Sequence, residues 1–266
     1  MSHDTASIWA YQVSNPVFLC LLAIVMILFA FVSVFVRRLA EEKRRRIILA
    51  VCVFTMVLFT WYKLTLSADP EYNLQRAYMG GFTWWNEMPL HLCNINMILI
   101  PLAVLTKNRA LTSFCFFVGS LGAALAILIP GIGFADMPIW LPRNIGYIGT
   151  HLLIVLTSLS LVTFGLFRPR MKDYPLTAGL LFGIALLAHG FNMAVRLTGL
   201  FDRANYFYTV ETEGNPALEL FHNLIPVPFW YLLPAIPILF VYMSVIILII
   251  RIFEKPSKDA ADNAKQ

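Results

Sequence analysis

Residues 17–46 read VFLCLLAIVMILFAFVSVFV followed by RRLAEEKRRR, an apolar run directly before a basic one. As a helix, the apolar run would be about 30 Å long, which matches the hydrocarbon core of a bilayer. The basic run contains six Lys or Arg residues, and short loops of this kind stay on the cytoplasmic side of a membrane. This stretch therefore predicts a membrane-spanning helix with a cytoplasmic C-terminal end.

The composition excludes an ordinary soluble domain. Of the 266 residues 59% are hydrophobic and only 13% are charged, and the mean hydropathy is +0.73. A net charge of +5 would suggest nucleic acid as the partner of a soluble protein, but here the basic residues lie between apolar runs. The first 16 residues lack the basic region of a cleavable signal peptide. We therefore expect a retained first helix, membrane lipids as partners and no nucleic acid.

The rest of the chain repeats the pattern of apolar run and polar connection. Seven runs are long enough to span a bilayer, and they cover residues 17–36, 47–66, 88–105, 111–130, 147–167, 176–195 and 229–250. Alternation places 15 of the 20 basic residues and 6 of the 15 acidic residues on the inner side. The sequence thus predicts an all-α, seven-helix bundle over residues 1–255, with an outside N-terminus and a disordered cytoplasmic tail over 256–266.

One predicted helix opens with an unusual polar stretch, Glu87-Met88-Pro89-Leu90-His91-Leu92-Cys93-Asn94-Ile95-Asn96. Polar side chains inside a span are costly and should face protein or a water-filled cavity. On a regular helix Cys93 would share a face with Asn96, because residues three or four apart are neighbours. His91 would share the other face with Glu87. We therefore expect another helix to supply a base for Cys93.

Polar side chains on other helices are predicted to lie at the same depth. Cys93 is five residues past the start of the third predicted helix, and His151 is four past the start of the fifth. Odd-numbered helices run in the same direction, so both side chains fall in the outer leaflet. His189 lies six residues before the end of the sixth helix, with Asn192 and Arg196 on the same face. This layer predicts one convergent site.

The chemistry available to such a layer is nucleophilic. A cysteine paired with a histidine can ionise below the reference pKa of about 8.5 and can form a thioester with an acyl group. Asn96 or Asn192 could donate a hydrogen bond to the developing oxyanion. Because phospholipid ester carbonyls lie just below the headgroups, a lipid could reach this site from within the bilayer. No cofactor is required by this scheme.

Three stretches carry a resemblance to a known family. They are Leu90-His91-Leu92-Cys93 with the basic turn Thr106-Lys107-Asn108-Arg109, Tyr147-Ile148-Gly149-Thr150-His151, and Asn205-Tyr206-Phe207-Tyr208 with the later Pro228-Phe229-Trp230-Tyr231. In these stretches the chain resembles the YwaF-like bacterial integral membrane proteins, which are distantly related to eukaryotic transmembrane protein 164, a cysteine-dependent phospholipid acyltransferase. The resemblance covers the third to seventh predicted helices.

The resemblance implies a role for two residues and a location. Cys93 takes the position of the nucleophile and His151 that of its partner histidine. The chain would be a multi-pass protein of the bacterial cytoplasmic membrane. The sequence around Cys93 is closer to that of the bacterial members than to that of the eukaryotic enzyme. The resemblance therefore implies a shared fold more strongly than a shared activity.

The same two residues have simpler interpretations. Cysteine is often buried as a small hydrophobic residue, and His151 could be a core histidine bonded to a neighbouring helix. A disulfide between Cys20 and Cys93 is possible on an oxidising outer face. Cys52 and Cys115 lack polar neighbours and are expected to be packing residues.

The supporting polar residues also leave alternatives open. His91 and Glu87 could orient the site or relay a proton, but we favour an interfacial pair near the headgroups. His189, Asn192 and Arg196 could bind a phosphate headgroup, although Arg196 could equally extend to the headgroup region. A zinc site formed by Glu87 and three histidines, including His151, has suitable ligand types but no diagnostic spacing. We expect no metal.

Two other function classes compete with a lipid acyltransferase or acyl hydrolase. One is a non-enzymatic transporter or ligand-binding membrane protein, in which the polar layer binds a small molecule or moves protons. The chain shows no internal repeat of the kind that many transporters contain. The other is an assembly partner whose polar layer bonds to a second membrane protein. The oligomeric state is left open by the sequence.

Overall fold

The computed structural model describes residues 8–77, 80–131 and 133–253, and these residues form helices joined by turns. A single isolated bridge between Ala10 and Pro138 is the only β pairing among them. The α-helices, in chain order, are α1 (Pro16–Val36), α2 (Glu41–Ser67), α3 (Pro70–Gln75), α4 (Asn96–Thr106), α5 (Arg109–Phe114), α6 (Ser120–Leu128), α7 (Pro142–Thr163), α8 (Asp173–Leu197), α9 (Pro216–Leu224) and α10 (Ala235–Phe253).

Six helical segments in the described part of the chain are long and apolar enough to cross a membrane. They are α1, α2, the continuous segment Arg109–Leu128, α7, α8 and the segment Trp230–Ile252 that contains most of α10. In Arg109–Leu128 a π-helical turn, Cys115–Gly119, joins α5 to α6. The all-helical membrane architecture expected from the sequence is confirmed at this level.

The first helix shows why these segments suit a lipid environment. The Asn15 side chain accepts a hydrogen bond from the backbone N–H of Val17, and Pro16 occupies the first turn, where it is well tolerated. Along α1 large apolar side chains face outward, with Ile27 67% and Phe31 62% exposed. A helix with this much exposed apolar surface requires an apolar surrounding.

Successive helices run in opposite directions between two ends of the bundle. We call the end that contains Cys93 the site end, and the other the basic end. At the site end the Tyr11 hydroxyl donates to the carbonyl of Ile127 near the end of α6, and the Tyr11 ring lies 6.3 Å from that of Tyr147 near the start of α7. At the basic end Ser33 contacts Thr163, near the C-terminal ends of α1 and α7.

The third predicted helix is much shorter than expected. Residues 88–105 were predicted to be helical, but α4 begins only at Asn96. Residues 87–95, here called the turn segment, form irregular turns. Pro89 cannot donate a backbone hydrogen bond, and Glu87 at the start of the segment forms an ion pair with Lys63. The expected division of the polar stretch into two helical faces is therefore wrong.

The turn segment and α4 together still run the length of α2 in the opposite direction. Glu87 contacts Lys63 near the C-terminal end of α2. Farther along, the carbonyl of Val104 accepts a hydrogen bond of 2.7 Å from Arg45, near the N-terminal end of α2. An 11-residue helix is only about 16 Å long, so the irregular turns supply the remaining length.

The second predicted helix starts earlier than expected, at Glu41 rather than at residue 47. Pairs four residues apart extend it into the basic run, with Arg45 2.8 Å from Glu41 and Arg46 3.2 Å from Glu42. Such pairs stabilise helices. The predicted tail, 256–266, lies outside the described residues.

Close packing of α7 against its neighbours forms the centre of the bundle. Gly146 permits the closest approach, because a Cβ at this position would overlap the side chain of Tyr62 on α2. At Gly119, a Cβ would lie 2.7 Å from Asn96 Oδ1 and 2.9 Å from Ser158 Oγ. These glycines bring α2, α4 and the π-helical turn up to α7, and so place the turn segment against it.

Candidate functional site

The thiol of Cys93 and the imidazole of His151 are in contact. The Sγ atom of Cys93 lies 3.3 Å from Nε2 of His151. His151 is 4% exposed, whereas Cys93 is half-buried. The turn segment brings the cysteine to α7, 58 residues later in the chain. The expectation that another helix supplies a histidine neighbour for Cys93 thus agrees with the geometry.

The other nitrogen of His151 determines which tautomer faces the thiol. Nδ1 lies 2.8 Å from the backbone carbonyl oxygen of Tyr147, one helical turn earlier. A carbonyl can only accept a hydrogen bond, so Nδ1 carries the proton of the neutral ring. Nε2 then presents its lone pair to Cys93, and the thiol donates to it. This is the arrangement that a general base for a cysteine requires.

Aromatic packing restricts the orientation of the histidine ring. The ring of Tyr147 lies 4.3 Å from that of His151 between centroids, and stacks on Phe134 at 4.3 Å. The Tyr147 hydroxyl donates to the carbonyl of Ala126 at 2.9 Å. Because Tyr147 is bonded at its hydroxyl and packed on both sides, its backbone carbonyl is a rigid anchor for His151.

Backbone donors also surround the sulfur. The backbone N–H groups of Cys93 and Asn94 lie close enough to Sγ to favour its charged form. Because the turn segment is irregular, these N–H groups are not used in helical hydrogen bonds and can point toward the sulfur. Backbone N–H groups at such a position are the usual components of an oxyanion hole.

The two asparagines expected to serve as oxyanion donors have other partners. Asn96 Nδ2 donates to the carbonyl of Leu92 at 2.7 Å, at the start of α4. Asn192 Nδ2 donates to the carbonyl of Tyr206 and to Thr209 Oγ1, both at 2.9 Å. The side chains of these asparagines therefore shape the chain around the site instead of pointing at the sulfur.

Glu87 belongs to a buried ion pair that the sequence analysis missed. Its Oε2 lies 2.5 Å from Nζ of Lys63, and its Oε1 accepts from the hydroxyl of Tyr72 at 2.8 Å. The Lys63 ammonium also lies 4.4 Å from the ring centre of Tyr62. A lysine inside the apolar run 47–66 was the available signal, since a charge in a span needs a partner.

His91 lies in an aromatic environment and is not paired with Glu87. Its ring centre is 5.7 Å from that of Tyr206 and 5.6 Å from that of Tyr208. Its Nδ1 is buried and lacks a hydrogen-bond partner in the described structure, as does Oδ1 of the nearby Asn94. Two buried polar atoms next to Cys93 in sequence are thus available to a ligand.

The three polar residues of the sixth predicted helix bind a protein loop. His189 Nδ1 lies 3.2 Å from Thr209 Oγ1. Asn192 Oδ1 accepts from the backbone N–H of Tyr206 at 2.9 Å. Arg196 bonds to the carbonyl of Ala204 and, at 2.9 Å, to Glu211. These side chains hold the loop over residues 199–215 against the end of α8.

That loop contains a strained aromatic pair that sequence reasoning also missed. Phe207 and Tyr208 have φ values of +62° and +54°, which are costly for bulky residues and concentrate at functional sites. Tyr206 donates from its hydroxyl to the carbonyl of Trp85, and Tyr231 donates to the carbonyl of Tyr208. This network holds the ring of Tyr208 beside His91.

A disulfide between Cys20 and Cys93 and a zinc site were the alternatives that the sequence left open. All four cysteines are free thiols, and Cys20 lies exposed on α1. Within residues 8–77, 80–131 and 133–253 there is no group of three His, Cys, Asp or Glu side chains that could hold a metal ion. Glu87 is already bound by Lys63.

Comparison with known proteins assigns the chain to a family. The profile of the TMEM164 family matches residues 10–250. No curated protein and no solved structure gives a significant match. The match extends from the segment before α1 into α10 and includes both Cys93 and His151. The chain is therefore an integral membrane protein and belongs to the TMEM164 family.

Proposed function

We propose that this protein is a membrane enzyme that transfers or hydrolyses lipid acyl groups, with Cys93 as nucleophile and His151 as general base. The contact of 3.3 Å between Sγ and Nε2 carries the proposal. It gains support from the tautomer of His151, whose proton is held on Nδ1 by the Tyr147 carbonyl. Membership of the TMEM164 family is consistent with it.

In the first half-reaction, Nε2 of His151 accepts the thiol proton while the sulfur attacks the carbonyl carbon of a lipid ester. The negative charge on the tetrahedral oxygen is stabilised by the backbone N–H groups of Cys93 and Asn94. The C–O bond of the ester then breaks, and His151 returns the proton to the leaving oxygen. The products are a lysolipid and an acyl thioester on Cys93.

In the second half-reaction, an alcohol or water takes the place of the leaving group. His151 removes its proton, the oxygen attacks the thioester carbonyl, and the C–S bond breaks. The proton on His151 returns to the sulfur and regenerates the thiol. An alcohol acceptor gives acyl transfer and water gives hydrolysis, so access to the site decides between them.

The substrate and the topology belong to the same proposal. The turn segment and α4 run antiparallel to α2, which supports a seventh crossing. With the basic run over residues 37–46 on the cytoplasmic side, seven crossings give an outside N-terminus and a cytoplasmic C-terminus. The site end would then lie in the outer leaflet of the bacterial cytoplasmic membrane, near the lipid ester groups. His91 Nδ1 and the acceptor Asn94 Oδ1, which have no partner among the described residues, are suited to hydrogen-bond a polar part of the bound lipid.

The decisive experiment is intact mass spectrometry of the purified full-length protein after brief exposure to phosphatidylcholine vesicles. We expect an added acyl mass on the wild type that hydroxylamine removes, and none on Cys93→Ala. Cys20→Ala is the matched control, because Cys20 is exposed but has no histidine contact in the described structure, and it should retain the adduct. Release of lysolipid should follow the same pattern.

Replacement of His151 tests the role of the general base independently of the nucleophile. His151→Gln keeps Cys93 but removes the imidazole, so we expect acylation at least about a hundredfold slower. An adduct that persists in Cys93→Ala would refute the nucleophile assignment. If the folded wild type forms no adduct and releases no lysolipid, the alternative of a transporter or ligand-binding protein, with Cys93 as a packing residue, becomes the better account.

A further inference from the structure

The basic end of the bundle contains a cleft that plays no part in the proposed reaction. Its cavity of about 380 Å³ is formed by the connection between α7 and α8 and by the end of α10. Six of the residues around it are Arg168, Arg170, Met171, Lys172, Ile250 and Arg251. Four cationic side chains from two distant parts of the chain therefore surround one cavity.

A second cleft at the same end contains arginines that are neutralised by acidic residues of the protein. It has a volume of about 110 Å³ and includes Arg45 and Arg109. Arg45 lies 2.8 Å from Glu41, and Arg109 lies 2.7 Å from Asp173. Both arginines of the smaller cleft are thus paired with carboxylates of the protein.

The cations of the larger cleft differ in this respect. Three of its cations are exposed and form no ion pair with an acidic residue among the described residues: Arg170, Lys172 and Arg251. Asp173 is adjacent in sequence, but it is completely buried and is bonded to Arg109 and to the backbone N–H of Arg170. Counted over residues 8–77, 80–131 and 133–253, the larger cleft therefore has a local excess of positive charge.

The position of the cleft indicates which kind of anion would bind there. It lies where α8 begins and α10 ends, and both belong to segments long enough to span a membrane. The ends of such segments lie at the level of the lipid headgroups. Met171, 48% exposed, and Ile250 add apolar surface beside the cations.

We propose that this cleft binds the phosphate headgroup of an anionic phospholipid through Arg170, Lys172 and Arg251. The phosphate would take the place that carboxylates occupy at the smaller cleft. The apolar residues would contact the adjoining glycerol and acyl chains. Basic pockets between transmembrane helices bind anionic lipids in this way. The inference is independent of Cys93 and of the proposed reaction.

The test measures lipid binding to the purified full-length protein. Native mass spectrometry would follow phosphatidylglycerol and phosphatidylcholine retained from equimolar mixed vesicles. The variant Arg170→Gln/Lys172→Gln/Arg251→Gln should bind phosphatidylglycerol about a hundredfold more weakly than the wild type. Each single replacement should give a smaller loss in the same direction, which keeps the test valid if the triple variant fails to fold.

The matched control removes the same charge elsewhere at the basic end. Arg38→Gln/Lys43→Gln/Arg46→Gln should change phosphatidylglycerol binding by less than about threefold. An equal loss in both triple variants would mean diffuse attraction and would overturn the proposal. Equal retention of phosphatidylcholine would overturn it too. Inorganic phosphate that binds the cleft as tightly as the lipid, and competes with it, would replace the lipid with a soluble phosphate ligand.

Discussion

Lys63 Nζ lies 2.5 Å from Glu87 Oε2, and the side chains are only 7% and 9% exposed. The pair joins the C-terminal part of α2 to the first residue of the turn segment, six positions before Cys93. A buried charge without its partner is strongly destabilising. The irregular path that brings Cys93 to His151 therefore depends on an electrostatic contact that lies outside the reacting pair.

Removal of the lysine should weaken the fold. We expect Lys63→Met to lower the free energy of unfolding by about 3–5 kcal/mol, because it leaves Glu87 buried and unpaired. Thermal unfolding in detergent measures the change. Lys43→Met is the control, since Lys43 is exposed on the same helix, and it should have little effect. The double variant Lys63→Met/Glu87→Gln should recover part of the loss, and a double variant no better than Lys63→Met would contradict this account.

Asn192 should control the order of the loop over residues 199–215. Its side chain makes two hydrogen bonds with the backbone of Tyr206 and one with Thr209. Loss of buried hydrogen bonds of this kind costs about 1–3 kcal/mol, so Asn192→Ala should speed amide hydrogen exchange at Tyr206 and Thr209 by about 10-fold or more. Asn223→Ala, an exposed asparagine on α9, should leave this exchange unchanged. Unaltered exchange in Asn192→Ala would show that other contacts hold the loop.

The stability of the same loop should depend on pH. Burial raises the pKa of Glu213 above its ordinary value near 4.5, although Asn205 donates to it at 2.7 Å and opposes the shift. The folded loop therefore binds the proton more tightly than the unfolded loop, and this contribution is present at low pH. It is lost as the pH rises from about 4.5 through the raised pKa. The protection factors of the loop amides, which correct for the intrinsic rise of exchange with pH, should fall over that interval, and Glu213→Gln should remove this fall. A slope that persists in Glu213→Gln would assign it to another group.

Close helix packing at Gly146 should be sensitive to one methyl group. A Cβ there would overlap Tyr62, which is 2% exposed, so Gly146→Ala should destabilise the protein by about 1–3 kcal/mol. Gly183→Ala on α8 is the control, because a Cβ at that position meets no atom within 4 Å. The control should leave the unfolding temperature unchanged or raise it slightly. Equal effects of the two substitutions would mean that α2 and α7 pack more loosely than described.

The helical class, the apolar spans and the shared depth of Cys93 and His151 could be anticipated from the sequence. Hydropathy identifies spans because a bilayer requires long apolar helices with internally satisfied backbones. The depth of a residue in the bilayer then follows from its distance in sequence from the end of its predicted helix. A cysteine and a histidine 58 positions apart could therefore be expected at the same depth. The short α4 was not anticipated, because hydropathy does not distinguish an apolar helix from apolar turns that are buried in protein.

The sequence by itself determined that the chain is a helical membrane protein with a polar layer near one end. Only the tertiary structure decided which polar residues of that layer contact Cys93. His189, Asn192 and Arg196 have the right depth, but they bind the loop after α8. His151 faces Cys93 because the turn segment leaves the helical path. The physical reason is that depth depends on position along the chain, whereas contact depends on rotation about each helix axis and on long-range partners such as Lys63.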